Sequence, residues 1–288
     1  MCTHRRNSWT VTPLLMVIAL MGCGGGGGGE AGEATSDPGA AEKAAPAVVE
    51  NAATLNVAVN FAGTAPAAKA IDMTEEKVCA DKHTAAGGAK TEEVVVNAGK
   101  LQNVFVYVKD GLTGTYTAPA EKVTIDQDGC VYKPHVVGLM VDQPLSFKNS
   151  DGILHNIKSQ PKENRPFNIS QPSNMESERS FTTREVVVPV QCDVHGWMQS
   201  YVGVLDHPYF AVSGVDGGAR IGNLPPGTYT IEAWHEKYGV KTQSVTVGPN
   251  ETRDITFDFS AATATRVPLG EPIIVPHATH TTSHAGGR

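Results

Sequence analysis

Short runs of β-branched and aromatic residues, each stopped by Gly, Pro or Asp, recur along this 288-residue chain and leave almost no helical periodicity. Leu55–Phe61 alternates apolar and polar residues and stops at Gly63-Thr64-Ala65-Pro66. Glu93–Val96, Asn103–Val108, Lys122–Ile125, Pro144–Phe147, Glu185–Val188 and Tyr201–Val204 continue the pattern. Each such strand has one apolar face that a second sheet must cover. The prediction is therefore an all-β fold with Greek-key sandwich character and turn-rich connections. Met73–Lys90 is the one plausible helical insert, and Gly87-Gly88 ends it as a loop. After His207-Pro208 the pattern restarts in Tyr209–Val212, Leu224–Ile231, Lys241–Val247 and Thr252–Phe259. That places a boundary near residue 207.

The two ends read differently. Arg5 and Arg6 precede an apolar run, Pro13–Leu20, that is too short to span a bilayer stably. The run ends in Leu20-Met21-Gly22-Cys23, which resembles a bacterial lipobox. Residues 1–22 are thus expected to be a lipoprotein signal peptide and Cys23 the lipidated residue. An ordinary secretory signal with an incidental cysteine is the alternative. Gly, Ala and Glu, with some Pro and Ser, dominate residues 23–52, as expected of a disordered linker. The Thr-, Ala- and Pro-rich residues 261–288 are expected to be a disordered tail, with His277, His280 and His284 either solvated or a loose metal site. The implied location is the envelope of a Gram-negative-type bacterium, periplasmic or at the outer membrane, with membrane contact through the lipid.

Charge narrows the partners. Without Arg5 and Arg6 the chain keeps 21 basic against 30 acidic residues, a net charge of −9. That argues against nucleic acid and leaves room for a basic redox protein, a cytochrome or a dehydrogenase.

Two motifs carry chemistry. His155-Asn156 is followed, 36 residues on from Asn156, by Cys192-Asp193-Val194-His195-Gly196-Trp197-Met198. Two imidazoles, a thiolate and a thioether form the ligand set of a blue-copper site, because the sulfurs suit Cu(I) and the imidazoles Cu(II). Zinc also accepts one Cys with a pair of His, but a thioether is a poor zinc ligand. Haem c is disfavoured because no C-x-x-C-H occurs.

The stretch Gln143–Asn156, with Phe147, Asn149, Asp151 and His155-Asn156 in order, resembles the cupredoxin family, as does Tyr132-Lys133-Pro134 upstream. The C-x2-H-x2-M loop is most similar to that of amicyanin. The resemblance covers residues 120–207 well and 53–119 loosely. It implies a cupredoxin domain over 53–207 with an N-terminal extension, binding copper in a type 1 site. His155, Cys192, His195 and Met198 would be the ligands, and Asn156 would tie the two ligand loops together. The chain departs from the small cupredoxins in its long polar segment 159–184 and in Gln191, where they often carry an aromatic residue. Trp197 is either part of a docking patch or loop packing.

Cys79-x3-His83 and Cys130-x4-His135 echo each other. A disulfide between Cys79 and Cys130 is one reading in an exported protein, and a second metal site from these Cys and His residues is the other. Residues 215–231, with Leu224-Pro225-Pro226-Gly227, resemble the carboxypeptidase regulatory-like, transthyretin-type sandwich, which implies a small prealbumin-like domain over 208–260 acting as spacer or platform. The combined layout resembles bacterial lipoproteins described as methylamine-utilisation-like. His235-Glu236 does not open an H-E-x-x-H motif, since Gly239 stands where the second His would be, and no catalytic triad or paired-carboxylate motif stands out. The expectation is a non-enzymatic electron carrier. A copper-delivery protein and a binding module with a non-redox metal site are the rivals.

Overall fold

The structure, a computed structural model, describes residues 49–263. The expected signal peptide, Cys23 and most of both polar ends lie outside the described residues. Among the described residues, no helix is long and apolar enough to cross a membrane.

The architecture is all-β. In chain order the strands are β1 (Ala53–Ala62), β2 (Val96–Asn97), β3 (Lys100–Leu101), β4 (Phe105–Asp110), β5 (Val123–Gln127), β6 (Tyr132–Lys133), β7 (Val136–Met140), β8 (Leu145–Asn149) and β9 (His155–Ser159). They continue as β10 (Asn168–Gln171), β11 (Glu176–Arg179), β12 (Glu185–Gln191), β13 (Gln199–Leu205), β14 (Phe210–Val212), β15 (Gly218–Leu224), β16 (Gly227–His235), β17 (Gly239–Val247) and β18 (Thr252–Ser260). The helical insert shrinks to α1 (Lys77–His83) and one 3-10 turn, Thr84–Ala86.

Four sheets form two sandwiches. One sandwich pairs the sheet β10-β9-β12-β13-β7 with the sheet β11-β8-β5-β6. Ile125, Phe147, Ile157, Val190, Val202 and Val204 fill its core. The polar segment 159–184 is not an open loop: β10 pairs with β9 and β11 with β8, so it crosses from one sheet to the other and adds an edge strand to each.

The second sandwich corrects the expected division. It is not confined to 208–260. Strand β1 lies between β18, parallel over Thr54↔Thr252 to Ala62↔Ser260, and β15, antiparallel. The opposing sheet runs β14-β4-β16-β17. Strands β1–β4 therefore belong with residues 210–260, whereas Met73, Cys79 and Ala89 between them pack into the core of the first sandwich, whose strands, residues 123–205, are inserted between the two parts. The boundary near 207 marks only the chain's return. Strand pairing over so many residues leaves no local trace in composition, because register is set by the partner and not by the strand alone.

The central sheets are covered on both sides, which explains the unbroken apolar run at β4. Val106 and Val108 face the second sandwich's core, whereas Phe105 and Tyr107 join Val136, Tyr201, Leu205 and Trp234 at the junction. Gly138 and Gly203 are register partners on β7 and β13 and make room for the fully buried Phe105. A Cβ on Gly203 would lie 2.4 Å from the Phe105 ring. Gly203→Ala is therefore expected to cost about 1–3 kcal/mol through overpacking, read as a lower urea midpoint. An unchanged midpoint would mean that the junction is loose.

Candidate metal centre

One hairpin and its neighbour bring the predicted ligands together. Strands β12 and β13 pair antiparallel, and the segment between them is Cys192–Met198. Strand β9 pairs with β12 on the other side and starts at His155. His155, Cys192, His195 and Met198 are all at least 96% buried. The ligand atoms of His155, Cys192 and His195 all lie within 4.8 Å of one another. The two Nδ1 atoms face each other at 2.9 Å, and Sγ of Cys192 lies 4.0 Å from Nδ1 of His195. Met198 closes the loop: its N–H donates to the His195 carbonyl at 2.9 Å and its carbonyl accepts from the Cys192 N–H at 3.2 Å. Its side chain packs in the same apolar cluster as Cys192.

The sulfur is prepared to be a thiolate. Backbone N–H groups of Asn156 (3.4 Å) and His195 (3.3 Å) point at it. Burial alone would raise the thiol pKa, but hydrogen bonds from His155, His195 and these N–H groups outweigh it and bring the pKa down to about 6. An unfolded thiol titrates near about 8.5. A folded pKa below the unfolded one means that the thiolate's contribution to stability is fully present above about pH 8.5 and is lost as pH falls through about 6. Metal-free protein is thus expected to gain thiolate ultraviolet absorbance near pH 6 and to grow more stable as pH rises from there to the unfolded value. Cys192→Ser is the baseline for both readings. A titration centred near about 8.5 would contradict this electrostatic account.

Asn156 spans the two ligand segments. Its Oδ1 accepts from the Asp193 N–H at 2.5 Å, and its Nδ2 donates to Oδ1 of Asn168 on β10. Gln191 accepts from Nε2 of Gln160 at 2.8 Å.

Sequence reasoning missed Asp151, which stands one turn of loop before His155. Its buried carboxylate meets Nε2 of His155 at 2.8 Å, accepts from the Gly129 and Cys130 N–H groups at 2.9 and 2.8 Å, and pairs with Lys82 of α1 at 2.6 Å. Burial pushes its pKa up, but His155, Lys82 and the N–H donors more than reverse that and hold it far below the usual carboxylate range. Burial likewise lowers the His155 pKa, yet Asp151 and Cys192 leave it raised. A carboxylate on Nε2–H leaves the Nδ1 lone pair for a metal. The only hint in sequence is an acidic residue four before the His, and in a Ser-Asp-Gly turn that reads as turn chemistry.

Cys79 and Cys130 form a disulfide, so they are not metal ligands. His83 and His135 do not converge on them: Nε2 of His83 contacts the Gly129 carbonyl at 2.6 Å, and Nε2 of His135 contacts Glu236 at 2.5 Å. Trp197 is half-buried, its Nε1–H donating to the Cys130 carbonyl at 2.9 Å and its ring centroid 5.2 Å from that of His195.

The donors fit a soft-to-borderline ion: two imidazoles, a thiolate already favoured by its surroundings and a buried thioether. What these residues define is a buried group of two histidines and a cysteine, with Met198 beside it, at one end of a β-sandwich. No family model matches the chain, and no curated protein matches it. Solved structures similar to part of it include a Cu-containing nitrite reductase (NirK) from Thermus scotoductus SA-01, at 18% identity and TM-score 0.29, covering 34% of this chain and 25% of that one. A Cu(I) amicyanin variant is similar at 15% identity and TM-score 0.26, covering 29% and 81% of the two chains. A purple cupredoxin from Nitrosopumilus maritimus is similar at 22% identity and TM-score 0.25, covering 28% and 97%. This chain spans only about a quarter of the nitrite reductase. All three alignments cover about a third of this chain or less, and such scores are too low to assign a family.

Proposed function

We propose that this chain is a copper-binding electron-transfer protein of the bacterial cell envelope, anchored by lipid on Cys23. The observation that carries the reading is the convergence of His155, Cys192 and His195 in one buried group. His155, Cys192 and His195 would hold the ion, with Met198 the fourth ligand. Bound copper supplies one-electron cycling between Cu(II) and Cu(I). The protein's part is to keep the ligands still: Asp151 fixes His155, Asn156 links the two ligand segments, and the Asn156 and His195 N–H groups hold the sulfur. Burial excludes water, so little reorganises when charge changes. Four ligands from the protein leave no open position for a substrate, which favours a carrier over an enzyme.

Leu154 and Val194, about half exposed, precede the two ligand histidines and offer apolar contact to a protein partner. The acidic net charge suits a basic one, such as a cytochrome. The second sandwich, resembling carboxypeptidase regulatory-like modules, acts as platform and spacer.

The test is a visible spectrum of the protein loaded with Cu(II). An intense thiolate-to-copper band is expected, absent in Cys192→Ala and bleached reversibly by a reductant. A weak band unchanged by that substitution would sink the carrier reading and favour copper delivery or a structural module.

A further inference from the structure

A cleft of about 1090 Å³ opens between the two sandwiches, at or above the upper end of small-molecule pockets, roughly 300–1,000 Å³. Both tryptophans among the described residues, Trp197 and Trp234, line it. Trp234 lies in the sheet of β4 and β16, its ring 5.2 Å from that of Tyr201 on β13. Trp197 belongs to the ligand loop. One side chain therefore touches both a metal-ligating imidazole and the cleft.

Two buried or nearly buried carboxylates of the cleft are held in hydrogen-bonded pairs. His135 meets Glu236 at 2.5 Å, with both side chains 9% exposed. Glu232, also buried, accepts from the Tyr107 hydroxyl and from Lys109 at 2.6 Å. Neither sign of charge prevails. The buried carboxylates of Glu185 and Glu232 and the nearly buried one of Glu236 disfavour an anion. Lys69, Lys90 and Lys162, without an ion-pair partner among the described residues, disfavour a cation. The favoured occupant is neutral and planar, with hydroxyl groups that add to the donors Glu232 and Glu236 already accept, a carboxylate oxygen having room for a second donor. A saturated polyol would stack on the same rings but has no electron to give at mild potential, which would leave the Trp197–His195 contact without a use.

We propose that this cleft binds a hydroxylated aromatic reductant of the hydroquinone class, whose electron leaves through Trp197 and His195. This rests on the copper reading above. In each transfer one ring O–H bond breaks. The proton goes to the Glu236 carboxylate and on to solvent. One electron would leave by way of Trp197 and His195 toward the ion that His155, Cys192 and His195 would hold, with bound Cu(II) supplying the one-electron oxidant, and the ring would be left as a neutral phenoxyl radical. Two such radicals disproportionate to one hydroquinone and one quinone, so atoms and electrons balance. The cleft would be the entry for electrons, and the Leu154–Val194 face the exit to a protein.

The test begins on copper-free, full-length protein. Calorimetric titration with resorcinol, which cannot form a quinone, should show saturable binding. Glu236→Gln should weaken it about tenfold, the equivalent of one charge-assisted hydrogen bond. Thr91→Trp, which puts bulk on the cleft lining without removing a charged group, should abolish it. No heat, or binding indifferent to both variants, overturns the proposal. On copper-loaded protein, bleaching by hydroquinone should saturate with concentration and be slowed by resorcinol. A linear, resorcinol-insensitive rate would leave the copper centre standing and overturn the electron route. If copper gives no intense band at all, the copper reading fails and takes the electron route with it, while the calorimetry still decides the cleft.

Discussion

Asp151→Ala is expected to weaken metal binding by about 10- to 100-fold, the usual consequence of removing the hydrogen-bond partner of a ligating histidine. The carboxylate is fully buried and meets four donors: His155, Lys82 and the Gly129 and Cys130 N–H groups. Alanine would free the His155 ring to rotate and leave the two backbone donors unpaired. A loss of about 3–5 kcal/mol in folding stability should accompany it, because one partner of a buried pair is removed. Asp151→Asn separates the two effects, since it keeps one acceptor oxygen and the volume of the side chain. It should fold better than the alanine variant and still bind metal less tightly. Competition against a copper chelator measures the affinity and urea denaturation the stability. Unchanged affinity in a folded Asp151→Ala protein would remove Asp151 from the site.

The second large effect concerns the disulfide. Cys79 and Cys130 are 51 residues apart, and cross-linking a loop of that length is worth about 4 kcal/mol of denatured-state entropy. Cys79→Ser with Cys130→Ser should lower the urea midpoint accordingly. The change should also reach the metal centre. Cys79 ties down α1, which carries Lys82 to Asp151, while Cys130 donates its N–H to Asp151 and offers its carbonyl to Trp197. The double variant is therefore expected to bind metal more weakly as well as to unfold more easily. A loss of stability with affinity unchanged would show that the centre is held by its own hairpin alone.

The ligand group was legible because most of it is local. Cys192, His195 and Met198 fall within one inter-strand segment, where spacing by itself keeps the residues close, and Asn156 follows His155 directly. The support around them was not. Asp151 sits in a turn, where an acidic residue has an ordinary local use, and Lys82 comes from a helix far back in the chain. Nothing in a sequence says that a loop carboxylate will be driven inside, because that depends on the Gly129–Cys130 backbone and on α1 arriving beside it. His83 and His135 show the converse. Their spacing from Cys79 and Cys130 left a metal site open, and the folded chain sends one to a backbone carbonyl and the other to Glu236.

Alternation of apolar and polar residues determined that the chain is β, because period-two side-chain placement belongs to each strand alone. The ligand types and their spacing likewise determined what chemistry the hairpin can hold. The tertiary structure alone decided that β1 runs beside β18 and β15, that the ligand-bearing sandwich is inserted into the other one, and that Phe105 seats against Gly138 and Gly203. Those outcomes depend on pairing and packing between segments far apart in the chain, as Thr54 and Thr252 are. The free energy there belongs to the contact between segments, and neither segment carries it in its own sequence.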